Sequence, residues 1–459
     1  MPGEARATEH RVKSVKSSLS FISVTILSCM ATVAHAQDLT EAWMNEPMPA
    51  GFQIMSTEIA GPTFTDADGR TFYVWPLKAL RAGITGDAPG QSNCKNEKLT
   101  LTAGLMSPYP PGLALPNAET RPTCTDIWPP MLAAENAQEV GNWSIIQRDD
   151  GTQQWGYKDQ AVYTYTRDPA PGDVFGTDIE ELSGSLDRPA YRRSIGPMPL
   201  VPPGFAVAPG VMGMGRTLTT DEGWSIYVNE QDTEESTICH DECTLTWLPI
   251  LAPALAIPQG EWGMFERSPG VYQWTFRGKP LYQYEPDPKT QGVEGADVPG
   301  WSNVYTQEAP AYPESFTIQT GFVGDVLADS RGMTIYTYNC TEDTVDQLRC
   351  DHPDDTQVYR KAMCGAGDQG KCLENWPYVE AMPGEESRSR SWSIVSIDPS
   401  TGHYANPDQQ NSIRVWAWRA RPVYTFSDDQ QPGDTYGSDV GEVRGQKNGL
   451  QAFILRNYF

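Results

Sequence analysis

The sequence predicts an all-β protein built of three tandem, small β-rich units stapled by disulfides. One arrangement of aromatic, glycine and cysteine positions is written three times along the chain. Its tyrosine-bearing segments place aromatic rings at i and i+2, the period that sets both rings on one face of a strand. The 41 glycines and 38 prolines among 459 residues leave no stretch with a capped 3.6-residue apolar period three or four turns long. An alternative architecture follows from the same pattern. Each half of a unit carries a glycine turn and a tyrosine strand, so six half-repeats could close as a propeller-like ring.

The elements recur in fixed order. The units open at Pro49…Phe52-Gln-Ile54, Pro203-Gly-Phe205-Ala-Val207 and Pro313…Phe316-Thr-Ile318. About twenty residues after each phenylalanine, a glycine precedes a tyrosine by four: Gly69…Tyr73, Gly223…Tyr227 and Gly332…Tyr336. A cysteine then stands four residues before a tryptophan, and proline follows closely: Cys124…Trp128-Pro129, Cys243…Trp247-Leu-Pro249 and Cys372…Trp376-Pro377. The later half starts at Trp143, Trp262 or Trp392 and continues to a second tryptophan eight residues before a tyrosine: Trp155…Tyr163, Trp274…Tyr282 and Trp416…Tyr424. From first tryptophan to tyrosine the distances are 20, 20 and 32 residues, so the third unit holds an insertion near 399–411. The unit boundaries fall at 45–196, 197–309 and 310–459. Prolines at both junctions favour extended, semi-rigid linkers.

Residues 1–36 read as a signal peptide. Arg6, Arg11, Lys13 and Lys16 precede a short apolar stretch near Leu19–Leu27, and Ala34-His35-Ala36 supplies the small-x-small cleavage pattern. Ile26-Leu27-Ser28-Cys29 offers a second possibility, a lipobox that would leave Cys29 lipidated. No later stretch has the ~20 apolar residues of a membrane span. The full chain has 34 basic and 59 acidic residues, a net charge of −25. Removing the leader takes four basic and two acidic residues, leaving a charge of −27. So acidic a surface repels phosphate backbones and disfavours nucleic-acid partners.

Of nine cysteines only Cys29 lies in the leader. The remaining even number, in an exported chain, argues for four disulfides. Pairing within units gives Cys94–Cys124, Cys239–Cys243, Cys340–Cys350 and Cys364–Cys372. A metal site at Cys239-His240-Asp-Glu-Cys243 is the competing reading.

At the tyrosine strands the sequence resembles a secreted tandem-repeat family of predicted lipoproteins carrying the motif Tyr-x-(Phe/Trp/Tyr)-x-x-Asp. Tyr163-Thr-Tyr165-Thr-Arg-Asp168, Tyr282-Gln-Tyr284-Glu-Pro-Asp287 and Tyr424-Thr-Phe426-Ser-Asp-Asp429 match it. Tyr227…Asp232 keeps the outer residues but has Asn229 at the central aromatic position, and Tyr73 and Tyr336 lack the aspartate at the fifth position. The Cys…Trp-Pro elements and Pro-Gly-Asp at 171–173 and 432–434 also look like that family. The resemblance implies an exported repeat protein and carries no activity with it.

Two roles are open to the motif residues Tyr163, Asp168, Tyr227, Asp232, Tyr282, Asp287, Tyr424 and Asp429. In the architectural one, the rings fill the core and each aspartate accepts backbone N–H bonds in the turn that follows its strand. In the functional one, the carboxylates hold a ligand or a hard cation such as Ca²⁺, helped by neighbours such as Asp173 or Asp434. Trp224 and Trp301 have no counterparts in the other units and are candidate surface rings for stacking on a glycan. No nucleophile elbow, zincin motif or phosphate loop occurs in the mature chain. The expectation is a non-enzymatic, extracytoplasmic binding or scaffolding module at the cell envelope, its partner an envelope protein, glycan or cation. The alternatives are a carboxylate-dependent hydrolase of extracellular polymers and an accessory protein of a periplasmic redox complex.

Overall fold

Each unit opens with an antiparallel hairpin. Gln53–Thr57 pairs with Gly61–Thr65, Phe205–Pro209 with Arg216–Thr220, and Thr317–Gly321 with Gly324–Ala328. The second strand of each sends Phe64, Leu218 or Leu327 into the core. The chain then reverses at the repeated glycine. Gly69, Gly223 and Gly332 have φ of +81°, +93° and +82°, which a side chain would strain. The residue three before each glycine fastens the turn: Asp66 Oδ1 accepts from the Arg70 N–H, Thr220 Oγ1 from Trp224 and Asp329 Oδ1 from Met333.

That reversal delivers the first-half tyrosine into the middle of a sheet, in the same register three times. Tyr73 lies opposite Tyr163, Tyr227 opposite Tyr282, and Tyr336 opposite Tyr424. On its other side the same tyrosine strand pairs with the unit's closing strand, through Ser194, Asn303 or Ala452. The strands of both halves thus share a sheet. They do not form independent blades, and among the described residues none of the eight sheets closes into a barrel, so the six-element ring does not describe this pairing.

The later half is a second hairpin: Trp143–Gln147 with Gln153–Tyr157, Trp262–Ser268 with Val271–Phe276, and Trp392–Ile397 with Ile413–Trp418. The insertion of the third unit lies in the loop of this hairpin, between Ile397 and Ile413. Two hydrophobic clusters form in each unit, one around the tryptophans that open the hairpins and one around the central tyrosines. Each large ring so buried stabilises by about 2–3 kcal/mol.

The computed structural model describes residues 41–80, 83–96, 123–177, 193–209, 215–338, 373–400, 402, 404–438 and 450–457. The expected signal peptide, Cys29 and the pairs Cys340–Cys350 and Cys364–Cys372 lie outside them. Two disulfides are present as expected, Cys94–Cys124 and Cys239–Cys243. Among the described residues helices are limited to short pieces such as Cys124–Ile127 and Asp241–Leu245, and none of them is long and apolar enough to cross a membrane.

The proline-rich junctions do not hold the units apart. Leu39–Phe459 is a single compact body. Ile59 and Val174 of the first unit belong to a core cluster of the third. Arg216 of the second unit donates to both oxygens of Glu41, in the segment that leads into the first, at 2.7 and 3.0 Å. From the third, Ser391 donates to Glu58 and Arg390 to the Pro171 carbonyl.

Candidate functional site

The motif tyrosine and the motif aspartate do not meet. Tyr163 and Asp168 sit in one continuous segment, yet each bonds to a residue of the other half of its unit. The Tyr73 hydroxyl donates to Asp168 Oδ2 at 2.7 Å, and the Tyr163 hydroxyl donates to Asp87 Oδ2 at 2.8 Å. The second unit repeats the exchange: Tyr227 donates to Asp287 at 2.7 Å and Tyr282 to Asp232 at 2.8 Å. In the third, Tyr336 donates to Asp429 at 2.7 Å, while the Tyr424 ring packs tilted against Tyr378 at 5.2 Å. The cause is the register: antiparallel pairing of the two tyrosine strands carries each phenol to the loop that leaves its neighbour.

The aspartates use their second oxygen to close that loop. Asp168 Oδ1 accepts from the Phe175 N–H at 2.9 Å and Asp429 Oδ1 from Tyr436 at 3.0 Å. On the first-half side, Asp87 Oδ1 accepts from Asn93 at 2.6 Å and Asp232 Oδ1 from Ile238 at 2.8 Å. Each of these carboxylates therefore ties a strand to a loop. The turn acceptance expected of the motif aspartate is present, and the tyrosine bond is added to it.

The central aromatic of the motif packs on the tryptophan of the Cys…Trp element, stacked in the first unit and tilted in the other two. Trp128–Tyr165, Trp247–Tyr284 and Trp376–Phe426 all have centroids 4.4 Å apart. The first-half tyrosine meets the same tryptophan edge-on at 5.4, 5.5 and 5.3 Å. A glycine completes the frame: a Cβ on Gly176, Gly295 or Gly437 would come within about 3 Å of these rings. Three sets of residues far apart in the chain thus share one geometry.

Behind the exchange lies a buried polar network outside the Tyr-x-aromatic-x-x-Asp motif. Arg148 Nη1 donates to Gln154 Oε1 at 2.6 Å and to Ser92, while Nη2 reaches the Cys94 carbonyl. Arg267 makes the same bonds to Gln273 and to the Cys239 carbonyl. Ser92 and Thr237 hydrogen-bond the Tyr163 and Tyr282 hydroxyls. The signal was in the sequence, since Asp87…Ser92-Asn-Cys94 and Asp232…Thr237-Ile-Cys239 share their spacing.

Burial raises the carboxyls. It pushes Asp168 up to about 7, the Asp173 charge adding to it, with Tyr73 and the Phe175 N–H opposing. Asp87, Asp287 and Asp429 are raised to about 6, again chiefly by burial. The phenols of Tyr73, Tyr163, Tyr227, Tyr282 and Tyr336 are raised by the same desolvation. A phenol so raised stays a hydrogen-bond donor at neutral pH.

Among the described residues no group of three or more His, Cys, Asp or Glu side chains gathers as a metal cluster. Cys239 and Cys243 are joined to each other, so the metal reading of that segment is replaced by the disulfide. Asp173, offered as a helper ligand to Asp168, spends Oδ2 on the Ala170 N–H and pairs with Arg390. Trp301 is not a surface ring. It is 8% exposed and stacked on Trp247 at 3.6 Å; Trp224 is partly buried.

A family model of a secreted repeat of unknown function matches residues 144–181, the stretch that contains Tyr163, Tyr165 and Asp168. No curated protein and no solved structure matches the chain.

Proposed function

We propose that this chain is an exported, non-enzymatic tandem-repeat protein that acts as a binding or scaffolding module at the cell envelope. The observation that carries the reading is the commitment of the motif carboxylates. Asp168 and Asp429 each spend one oxygen on a tyrosine hydroxyl and the other on a backbone N–H. A carboxylate held on both oxygens is a structural tie; general acid–base work needs one oxygen within reach of a substrate proton. The secreted-repeat match supports export, and the signal-like leader agrees with it.

The binding half of the reading draws on the second unit. Between Leu245 and Ile257 the chain exposes Leu245, Leu251, Leu255 and Ile257, with Leu255 93% exposed. On a chain of net charge −25 that run of aliphatic side chains stands out as an interaction surface.

The test is a polysaccharide panel incubated with the mature protein, alongside the Asp168→Asn and Asp429→Asn variants. The expected result is no released reducing ends from any of them, with both variants melting at lower temperature. Turnover by the wild type that either substitution abolishes would overturn the reading.

A further inference from the structure

The contact between the first and third units is built from pieces that the units repeat. On the first unit the pieces are the tip of the opening hairpin and the loop after the motif aspartate. Ile59 at the tip and Val174 in the loop are buried in a core cluster of the third unit. On the third unit the receiving surface is the start of the later hairpin and the tight turn that follows it. Ser389 and Ser391 donate there to the Glu58 carboxylate, and Arg419 donates to the Val174 and Phe175 carbonyls.

The receiving surface occurs three times with one geometry. Trp143 lies opposite Tyr157, Trp262 opposite Phe276 and Trp392 opposite Trp418. The next residue then donates its N–H back across the turn, Lys158 to Asn142, Arg277 to Glu261 and Arg419 to Ser391. Two of the three surfaces are covered. The third unit's takes Ile59 and Val174. Over the second unit's, Glu41, Ala42 and Leu200 close on Trp262 and leave a void of about 10 Å³. In the first, Gly141, Asn142, Lys158 and Asp159 border an open notch of about 390 Å³, with Asn142 held at its rim by Glu46.

The covering pieces also recur, exposed, on the third unit. Its hairpin tip carries Phe322, 84% exposed where Ile59 is 7%. Its loop carries Tyr436, 59% exposed, in the place of Phe175; the N–H of each closes its loop on Asp429 or Asp168. Tip and loop adjoin as they do in the first unit. A Cβ on Gly321, beside Phe322, would collide with the Gly433 carbonyl, and one on Gly172 would lie 3.8 Å from that of Ser56. The tip of the second unit's hairpin lies outside the described residues.

One chain thus carries an open receiving surface on its first unit and an exposed copy of the covering piece on its third. We propose that the protein associates head to tail, the Phe322 tip and Tyr436 loop of one copy entering the Lys158 notch of the next. Lys158, in the place of Arg419, brings a cation to the loop carbonyls, and the two rings bury apolar area beside it. Gly141 stands where Arg390 reaches Pro171 and Asp173 within the chain, so the contact between copies has fewer bonds and is transient. Such a contact is heterologous: copies add as a chain or close as a ring. It is independent of the binding surface discussed above, which lies in the second unit.

Sedimentation velocity of the mature, disulfide-bonded protein tests this at ~0.15 M salt, where repulsion between the acidic copies is screened beyond ~8 Å. Mass should rise with concentration, with half-association near ~10⁻⁴ M. Phe322→Asp and Lys158→Glu, both at exposed positions, should each stay monomeric up to ~10⁻³ M while melting as the wild type does. Mixed in equal amounts they should form a dimer and nothing larger, because each supplies the face that the other has lost. The proposal is overturned by a wild type that stays monomeric up to ~10⁻³ M, or by a mixture that stays monomeric. It is equally overturned by variants that associate as the wild type does, which would place the contact on the aliphatic run of the second unit.

Discussion

The first and third units keep the same aromatic frame over different foundations. In the first, Arg148 and Gln154 lie side by side beneath the tyrosine exchange, Arg148 8% exposed and Gln154 fully buried. In the third, the hairpin register puts Val395 opposite Val415, with Ile397 two residues on, where the first has Ile146 opposite Gln154 and then Arg148. Ile397 and Val415 are fully buried against Tyr336, Trp376 and Tyr424. One position holds a buried cation in one unit and a branched alkane in another, yet the Tyr–Asp bond above is 2.7 Å in both. What the fold requires is therefore the ring frame and the tyrosine–aspartate tie. The layer underneath can be polar or apolar provided that it is internally satisfied.

The largest expected effect breaks that satisfaction. Arg148→Ala strands Gln154 Oε1 and the Cys94 carbonyl without a donor, and should cost about 3 kcal/mol of unfolding free energy. The double variant Arg148→Ile, Gln154→Val copies the third unit and should recover at least half of that loss. Urea unfolding of the mature protein measures both. A double variant no better than the single one would mean that the two layers are not interchangeable.

A smaller effect sharpens the comparison through pH. Asp87 and Asp168 are raised to about 6 and about 7, Asp429 to about 6, so in each the folded state binds its proton more tightly than the unfolded chain does. Their contribution to stability is fully present below the ordinary aspartate value near 4 and is lost as pH rises through 6–7. Arg148 opposes the rise at Asp87. Replacing it by isoleucine removes that opposition, so the double variant should lose more melting temperature between pH 5 and pH 8 than the wild type. The acidic surface acts equally on both proteins and cancels in the difference. Adding Asp87→Asn to the double variant should bring the slope below that of the wild type, because it removes the whole Asp87 contribution; a slope unmoved by Asp87→Asn would remove this carboxyl from the account.

The frame was legible in the sequence because it is periodic, and the bonds were not because they are non-local. Constant offsets among Trp143, Trp155 and Tyr163 and their counterparts report equivalent interiors, and these rings are buried in each unit. The within-unit logic also found Cys94–Cys124 and Cys239–Cys243. The exchange between halves escaped because strand register joins Tyr73 to Asp168 across 95 residues, a distance no local spacing encodes. Its reciprocal partner was masked by a detour. Tyr227 and Asp232 are five residues apart, whereas the hairpin Lys78–Leu80 with Gly83–Thr85 intervenes between Tyr73 and Asp87. Trp301 looked like a surface ring since nothing matched it elsewhere, yet an unmatched aromatic can equally fill a space that one unit alone possesses, as it does on Trp247.

The smallest effect concerns the tight turn that leads each unit into its motif strand. All three turns hold two residues at positive φ: Lys158-Asp159, Arg277-Gly278 and Arg419-Ala420. Such two-residue hairpin turns match the twist of the strands they join but strain any side chain at the second position. Ala420 sits there at φ 61°, where a Cβ costs about 1–2 kcal/mol; glycine would avoid that cost and give back about 0.5–1 kcal/mol in chain entropy. Ala420→Gly should therefore stabilise the third unit by about 0.5–1 kcal/mol. The reverse change in the second unit, Gly278→Ala, should destabilise by a similar amount, because a Cβ there meets nothing nearer than Glu234 at 3.8 Å and only the backbone feels it. Opposite signs in the two melts would show that the turns are equivalent and differ only in strain. Equal signs would mean that Arg419, which holds the Val174 and Phe175 carbonyls of the first unit, depends on alanine beside it for its placement.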